Sequence, residues 1–362
     1  MQVSTFITLM SNQTGWTITS VYLFLAVAII IAKIVLRYVY KNKFYNIQNY
    51  LLIILALLPA SFMFIIGDRW VFGASYLPTG NPDVDLTYSS FHFAFLVWMV
   101  VMAVAFAFIG NSHQKDKTKT YFNGRMDKID YTIFRIGLFL LAIELFKQLV
   151  FARLWYGIDQ YQWYAFPLQF CSVPIFFFLF APWLKNKALK NAAYEFIGLF
   201  VTLAGLLVMI VGGSVFTDLV SISVHTMLWH GAMVITGVYL IFAKRIGTSY
   251  KQLLRSVMFL FGLIIIVQVV NIHFHFMGEY IENGPSGFSG FFISPWESGF
   301  GLPVLGGWQK AIYQSSMPLA LSATLYSLIY FAAFTLGASI VYGFIYGLRT
   351  LIKVRTNKKI RA

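Results

Sequence analysis

Nine runs of mostly apolar residues constrain the fold of this chain more than any other feature of its sequence. A transmembrane α-helix needs about 20 such residues to cross the hydrocarbon core. Only 11% of the 362 residues are charged, against roughly 25% in a soluble domain, so the sequence predicts an all-α, polytopic transmembrane bundle. The predicted spans lie near 16–38, 50–67, 91–110, 131–153, 167–184, 192–213, 220–243, 253–275 and 317–348.

The positions of the basic residues predict the direction of the spans. Most of the 27 Lys and Arg residues follow the odd-numbered spans or lie in the C-terminal tail. Cytoplasmic loops are enriched in these residues, so we expect the N-terminus outside and the C-terminus in the cytoplasm. The net charge of +14 is spread over short connections, which does not indicate nucleic acid. Membrane lipids are the predicted partners, and a homo-oligomer or other membrane proteins are compatible with the same pattern.

The chain divides into three predicted parts. Residues 1–88 hold two additional transmembrane helices and an outer loop, residues 89–348 form a seven-helix core, and residues 349–362 are a basic cytoplasmic tail. The outer connection 276–316 is long and rich in Gly, Pro and aromatic residues. Connections of this length are usually functional or disordered. We expect this one to cap the outer face, with Phe291, Phe292 or Trp296 over a cavity.

Polar residues within the predicted spans fall mostly in one layer, the outer half of the bilayer. Ionisable groups at such depth are costly and are therefore candidate functional residues. Cys171, the single cysteine, is expected about one helical turn into the fifth span, while Glu144 and Lys147 lie in the outer half of the fourth. The remaining members of this layer are His92, Gln169, His225, His230, Gln268, Asn271, His273 and His275.

Each member also has a structural interpretation. Glu144 and Lys147 are three residues apart, so they can form an ion pair on one helix face. A lone buried cysteine such as Cys171 usually behaves as a small hydrophobic residue. Glu195 and Arg135 lie near cytoplasmic helix ends, where they can snorkel, and we assign them no role. The shared depth of the other residues is what favours a functional site.

The spacing of His225 and His230 limits their roles. Five residues correspond to about 140° around a helix, so we expect at most one of the two to meet Cys171, and depth favours His225. A two-histidine metal site on a helix would prefer a spacing of four. The sequence therefore predicts neither a metal site nor a cofactor.

Two motifs in this layer resemble the bacterial YwaF family of integral membrane proteins. They are PLQFC, which ends at Cys171, and VHTMLWHG, which contains His225 and His230. His92 and Glu144 occupy matching positions, and Asn271 is a looser match. The resemblance covers about residues 89–348 and departs from the family at Gln169, where the family usually has a histidine. It implies a multi-pass protein of a bacterial plasma membrane.

The resemblance also implies an activity. Eukaryotic relatives of the family are implicated in acyl transfer on ether phospholipids through a cysteine–histidine pair, and more distant seven-helix relatives hydrolyse fatty-acid esters. We therefore expect a lipid acyltransferase or lipid-ester hydrolase in which Cys171 is the nucleophile and His225 or His230 is the base. Glu144 would orient the histidine, and Gln169 is a candidate oxyanion donor. The predicted substrate-binding residues are His92, Gln169, Lys147, Asn271 and His273.

Two alternatives remain open at this stage. A transporter or channel could carry a small solute past the same polar layer, using the glycines of the sixth and seventh spans. A noncatalytic assembly protein would use the layer for packing. The glycines in question are Gly205, Gly212, Gly213, Gly231 and Gly237.

Overall fold

The computed structural model describes most of the predicted seven-helix core. The first two predicted spans, 16–38 and 50–67, lie outside the described residues. The described residues are 87–88, 90–116, 118–149, 163–212, 215–216, 220–280, 288–296 and 305–361.

Most of the described chain is helical, as the apolar runs predict. The α-helices are α1 (Ser90–Lys115), α2 (Lys128–Leu149), α3 (Pro174–Phe180), α4 (Lys187–Phe196), α5 (Thr202–Val211), α6 (Val220–Phe242), α7 (Tyr250–Tyr280), α8 (Leu305–Tyr313) and α9 (Leu319–Arg361). A π-helical segment, Ile197–Val201, connects α4 with α5, and short 3-10 helices occur at Trp163–Ala165, Ala181–Trp183 and Gly290–Phe292. The strands β1 (Thr120–Tyr121) and β2 (Met126–Asp127) pair antiparallel in a short hairpin.

Five helical stretches of the described residues are long and apolar enough to cross a membrane. This confirms an all-α transmembrane bundle. The predicted fourth span corresponds to α2, whose 22 residues include five charged ones. This helix is not among the five membrane-crossing stretches. The total of nine spans therefore stays a prediction. The five stretches are His92–Lys115, Lys187–Val211, Ile222–Phe242, Tyr250–Met277 and Leu319–Leu351.

The predicted fifth span, 167–184, is not one regular helix. The backbone runs through turns up to Val173, and α3 begins only at Pro174. Proline lacks a backbone N–H and favours the first turn of a helix. Cys171 therefore lies on irregular backbone before α3, and its expected place one turn into a helix is wrong. Within a membrane, irregular backbone is tolerated only where protein surrounds it or where it lines a cavity.

The described residues form two compact units. Unit 1 holds the described residues up to Ile109 together with Ala204–Ile235, and unit 2 holds Gly110–Leu203 and the chain from Thr236 onward. Cys171, Glu144 and Lys147 belong to unit 2, whereas the histidines at 92, 225 and 230 belong to unit 1.

Unit 2 contains a group of buried and half-buried charges, the ionic cluster (Asp127, Asp130, Lys190, Tyr194 and Arg245). Asp130 accepts hydrogen bonds from Lys190 Nζ at 2.7 Å and from Tyr194 Oη at 2.8 Å. Arg245 pairs with Asp127 and lies 3.7 Å from Asp130. These contacts join α2, α4 and the connection before α7.

Two further ion pairs belong to the same unit. Lys128 donates to Asp116 at 2.8 Å. Arg255 Nε donates to a carboxylate oxygen of the fully buried Glu195 at 2.7 Å. Glu195, which had no expected role, is thus one half of an ion pair that ties α4 to α7.

The last helix, α9, is 43 residues long and continues through Arg361. The predicted basic tail therefore begins as part of this helix. Arg349 donates to the carbonyl oxygens of Ile246 at 2.6 Å and Ile241 at 2.7 Å. Tyr342 Oη donates to Thr248 O at 2.6 Å. These bonds fix the middle of α9 to the connection between α6 and α7.

Candidate functional site

The irregular backbone around the cysteine, the Cys171 segment (residues 165–173), is held by short-range turns. The N–H groups of Ser172 and Val173 both donate to Gln169 O, at 2.9 and 3.0 Å. Phe170 is buried, with 3% of its surface exposed, while Cys171 is only half-buried. Cys171 is thus less buried than the two residues that flank it in this segment.

A charged group from α2 lies beside this segment. Lys147 Nζ pairs with Glu144 at 2.7 Å, and both side chains are buried. Gln148 Nε2 donates to Glu144 at 2.7 Å and to Ala165 O at 2.8 Å, which ties α2 to the start of the Cys171 segment. Both charges of the pair act electrostatically on Cys171. The structure therefore brings together three of the predicted site residues.

Gln169 is the fourth predicted site residue in this region. Its side chain is buried, with 5% exposed, and its Nε2 has no hydrogen-bond partner among the residues that the structure describes. Buried polar groups are nearly always paired, and an exception calls for an explanation such as a ligand or a water molecule. An amide donor two residues from a cysteine has the chemistry to bind a carbonyl oxygen.

Part of the outer connection forms a second irregular piece of unit 2, the clamped segment (residues 288–296). Phe291 and Phe292 both have left-handed backbone conformations, with φ of 54° and 57°. Such conformations cost free energy in non-glycine residues and persist only where the surroundings impose them. Side chains of α7 and α8 do so here. Asn271 Oδ1 accepts from Gly290 N at 2.7 Å, and Gln309 Nε2 donates to Phe292 O at 2.9 Å.

Two more side chains complete the clamp at Ile293. Its carbonyl oxygen accepts hydrogen bonds from Gln268 Nε2 at 3.1 Å and from Tyr313 Oη at 3.0 Å. Burial raises the pKa of Tyr313, so its hydroxyl stays protonated and remains a donor. The side chains of Gln268 and Tyr313 therefore hold the backbone of the clamped segment in place.

Phe291 connects the clamped segment to the Cys171 segment. Its N–H donates to Leu168 O at 3.1 Å, and its fully buried ring lies edge-on to Phe170 with centroids 5.2 Å apart. Tyr330 of α9 stacks on the same ring at 6.3 Å. The two irregular segments are thus joined by one backbone hydrogen bond, and their aromatic rings pack together beside Cys171.

In unit 1, His92 is held by the protein on both ring nitrogens. Tyr88 N–H donates to Nδ1 at 3.0 Å, and Nε2 donates to Met209 O at 2.7 Å. Gly212, which ends α5 with φ of +61°, leaves room for the ring, since a Cβ there would lie 3.0 Å from it. This geometry favours a structural role for His92 over the predicted substrate binding.

The two histidines of α6 have different surroundings. His230 Nδ1 donates to Thr226 O at 2.7 Å, and because a carbonyl can only accept, the neutral ring carries its basic lone pair on Nε2. His225 stacks on Trp229 with centroids 5.2 Å apart. A fixed tautomer is what a general base needs, so these contacts favour His230 over His225. The pairing of either histidine with Cys171 stays a prediction, since it joins residues of the two units.

Two other predicted substrate-binding residues have different outcomes. Asn271 is 1% exposed and is occupied with both backbone groups of Gly290, which favours a clamping role. His273 is exposed at the end of α7. Both predictions came only from the position of each residue along its predicted span. That position does not show which face of the helix carries the side chain.

The glycines considered for transport have packing roles where the structure describes them. A Cβ at Gly205 would lie 2.7 Å from His230 O. A Cβ at Gly231 would overlap the ring of Trp98, and one at Gly237 would overlap Thr202. Small residues at such positions allow helices to approach closely in membranes. The glycines therefore need no transport function to explain them.

Sequence reasoning missed two residues of unit 2, the tyrosine pair (Tyr326 and Tyr330). Both are fully buried on α9, and the ring of Tyr330 lies edge-on to that of Phe170, next to Cys171 in the chain, with centroids 6.4 Å apart. Their i, i+4 spacing places them on one helix face. That spacing was a usable signal, but the chain has 21 tyrosines, and tyrosine is common near membrane interfaces.

A comparison with protein families identifies the family to which the predicted core belongs. Residues 87–329 match the TMEM164 family, a family of transmembrane proteins. The chain belongs to the TMEM164 family. No curated protein and no solved structure matches the chain. The family match begins close to residue 89, where the sequence predicted the seven-helix core to start, and it includes the Cys171 segment, the clamped segment and Tyr326 of the tyrosine pair.

Proposed function

We propose that this TMEM164 family protein transfers or hydrolyses the acyl group of a membrane lipid ester, with Cys171 as nucleophile. One observation carries the proposal. The half-buried Cys171 lies on irregular backbone beside a buried Glu144–Lys147 ion pair, two residues from a buried Gln169 amide that has no partner among the described residues. A thiol, nearby charge and an amide donor available for a ligand are the elements of nucleophilic acyl transfer.

The first half-reaction breaks the lipid ester. Cys171 Sγ forms a bond to the ester carbonyl carbon while the carbonyl π electrons move to oxygen, where Gln169 Nε2–H donates to the resulting oxyanion. A histidine accepts the thiol proton and returns it to the departing alkoxide as the C–O bond breaks. The products are a thioester on Cys171 and an alcohol, such as a lyso-lipid.

The second half-reaction releases the acyl group. The histidine takes a proton from an acceptor hydroxyl, whose oxygen attacks the thioester carbonyl. The thiolate then leaves and is protonated again. A lipid hydroxyl as acceptor gives acyl transfer, and water gives hydrolysis.

Histidine and carboxylate have separate proposed roles. The proton acceptor is His225 or His230, and the Nδ1–H donation to Thr226 O favours His230. Glu144 was expected to orient the histidine. Its observed bonds to Lys147 and Gln148 support a second role, in which the ion pair provides fixed charges beside the developing thiolate. We also propose that the lipids are drawn from the outer leaflet of a bacterial plasma membrane.

The test is a mutant cycle in purified protein with glycerolipid esters. Cys171→Ala and His230→Ala should each reduce acyl transfer or hydrolysis to background, and the double variant should be no worse, because members of one catalytic unit are not additive. His273→Ala is the matched control, since this histidine is exposed, and it should retain activity.

The cycle also separates the alternatives. If Cys171→Ala and His230→Ala retain full turnover, the cysteine–histidine mechanism is wrong. Solute flux into proteoliposomes that is abolished by the same variants, without any release of acyl chains, would favour a transporter.

A further inference from the structure

The tyrosine pair is the clearest set of buried polar groups that the mechanism above leaves unused. Tyr326 and Tyr330 are fully buried on one face of α9. Neither hydroxyl has a hydrogen-bond partner among the residues that the structure describes. The ring of Tyr330 also lies edge-on to that of Phe170, the residue before Cys171, with centroids 6.4 Å apart.

Buried hydroxyls without partners are unfavourable. Removing a hydroxyl from water without giving it a new hydrogen bond costs about 1–3 kcal/mol by protein mutational measurements. Phenylalanine would fill nearly the same volume without this cost. Tyr342, on the same helix, shows the ordinary arrangement, since its hydroxyl donates to Thr248 O at 2.6 Å. The two hydroxyls of the tyrosine pair therefore call for a ligand.

The surroundings of the pair limit where such a ligand would lie. Tyr330 stacks on Phe291 at 6.3 Å and on Phe334, which follows it on α9, at 4.4 Å. Its ring is therefore fixed between the clamped segment and a neighbouring ring of its own helix. At the other end of the pair, Tyr326 lies edge-on to Tyr313 at 5.7 Å, and the Tyr313 hydroxyl is already used by Ile293. The Tyr330 end of the pair thus lies against the clamped segment, and the Tyr326 end lies against α8.

The chemistry of these groups indicates an uncharged ligand. A phenol donates one hydrogen bond and accepts others, which suits ester carbonyls and hydroxyls. Lys147, the cation beside the Cys171 segment, is committed to Glu144 at 2.7 Å. An anionic headgroup placed between the phenols would lack a cationic partner among these residues, and burying an unpaired charge is costly.

We propose that the tyrosine pair binds the ester-linked glycerol portion of a lipid. Tyr330 donates a hydrogen bond to the carbonyl oxygen of the acyl group that faces Cys171, and Tyr326 binds the next oxygen along the glycerol. The proposal rests on the acyl-transfer function and names its substrate class as a glycerol ester whose bound part is uncharged.

Binding is tested in Cys171→Ala protein, which cannot form a thioester, purified in an ester-free detergent. Thermal unfolding is followed during titration with dioleoylglycerol, or with a dioleyl glycerol ether that keeps the hydroxyl and the chains but lacks both carbonyls. The diester should bind about tenfold more tightly, as expected for one hydrogen bond of about 1.4 kcal/mol. Tyr330→Phe in the same background should abolish the preference, and Tyr342→Phe should preserve it.

Equal binding of the two lipids, or a preference that survives Tyr330→Phe, would overturn the inference. So would loss of the preference in Tyr342→Phe as well, because the effect would then not be specific to the pair. Acylation of Cys171 in the wild-type protein is scored separately by mass spectrometry. A preference that depends on Tyr330 in a protein that never acylates Cys171 would keep the binding site and remove the proposed function.

Discussion

Two polar regions of unit 2 differ in how many of their buried polar groups have hydrogen-bond partners. In the ionic cluster, each carboxylate has a cationic partner, and Tyr194 Oη donates to Asp130. Arg245 Nε is the one buried side-chain atom of the cluster without a hydrogen-bond partner among the described residues. Around Cys171, the Gln169 amide and the hydroxyls of the tyrosine pair have no partner within the described part of the chain. Satisfied groups hold a scaffold together, whereas unsatisfied groups are kept at a cost and indicate a ligand.

Arg245 illustrates how the ionic cluster compensates burial. Burial alone disfavours the charged guanidinium, but Asp127 and Asp130 outweigh that effect and raise the pKa of Arg245. Arg245 therefore keeps its positive charge within the ionic cluster. Its members are expected to affect stability strongly and chemistry only indirectly.

The largest expected effect is on stability, from Asp130→Ala. Asp130 is 4% exposed and accepts from Lys190 and Tyr194, so its removal leaves the half-buried Lys190 ammonium without its carboxylate. Breaking a buried ion pair in this way costs about 3–5 kcal/mol. Denaturant-induced unfolding in detergent should show this loss, while Lys251→Ala at an exposed position should change stability by less than about 0.5 kcal/mol. A loss for Asp130→Ala no larger than that of the control would contradict the scaffold role.

Asn271→Leu should come next. The substitution removes both bonds to the backbone of Gly290 and leaves that buried N–H unsatisfied, at a cost of about 1–3 kcal/mol. Hydrogen exchange should accelerate at Gly290 and Phe291, whose amides are held by Asn271 and Leu168. Unchanged protection at these amides, with lower affinity for substrate, would instead restore the predicted substrate-binding role of Asn271.

Gln169→Leu should show the reverse pattern, with loss of activity and unchanged or higher stability. Its Nε2 has no partner to lose among the described residues. We expect acyl transfer to fall by about 10²-fold, the lower end of the range for removal of one oxyanion donor. Single-turnover acylation provides the rate, and thermal unfolding provides the comparison with Asn271→Leu. Destabilisation without a change in acylation rate would place Gln169 with the scaffold.

The smallest effect concerns the pH dependence of the Asp116–Lys128 pair. The hydrogen bond from Lys128 lowers the pKa of Asp116 to about 2, below its value of about 3.9 in an unfolded chain. A lowered pKa stabilises the folded protein above the unfolded value, and this contribution is lost as the pH falls through the folded value. The melting temperature of Asp116→Asn should therefore be below that of wild type at pH 6, with the gap closing between about pH 4 and about pH 2. A gap independent of pH would exclude this titration.

The apolar runs predicted much of the fold, whereas the direction of the spans, which rests on the charge pattern, stays a prediction. Runs of about 20 apolar residues locate helices because the bilayer imposes that length. Helix periodicity failed at Cys171, where Pro174 starts α3 late and the preceding turns follow tertiary contacts. Those contacts include the bond from Phe291 N–H to Leu168 O, which joins residues more than a hundred positions apart.

The site was predicted in part for similar reasons. Glu144, Lys147 and Cys171 were expected to share a layer, and they interact in unit 2. Depth alone also selected Asn271, whose bonds to Gly290 could not be foreseen without the path of the outer connection. The tyrosine pair was missed because an unsatisfied hydroxyl is a property of the packed structure.

Transient acylation of Cys171 is the step that most directly separates the proposed enzyme from a noncatalytic membrane protein. Purified protein would be incubated with dioleoylglycerol, quenched in acid and digested, and the peptide containing Cys171 analysed by mass spectrometry. We expect an oleoyl adduct on Cys171 that is released by hydroxylamine, as thioesters are, and that is absent in Cys171→Ala, which should not turn over. Full turnover of the lipid by Cys171→Ala, with no adduct in the wild-type protein, would contradict the thioester mechanism.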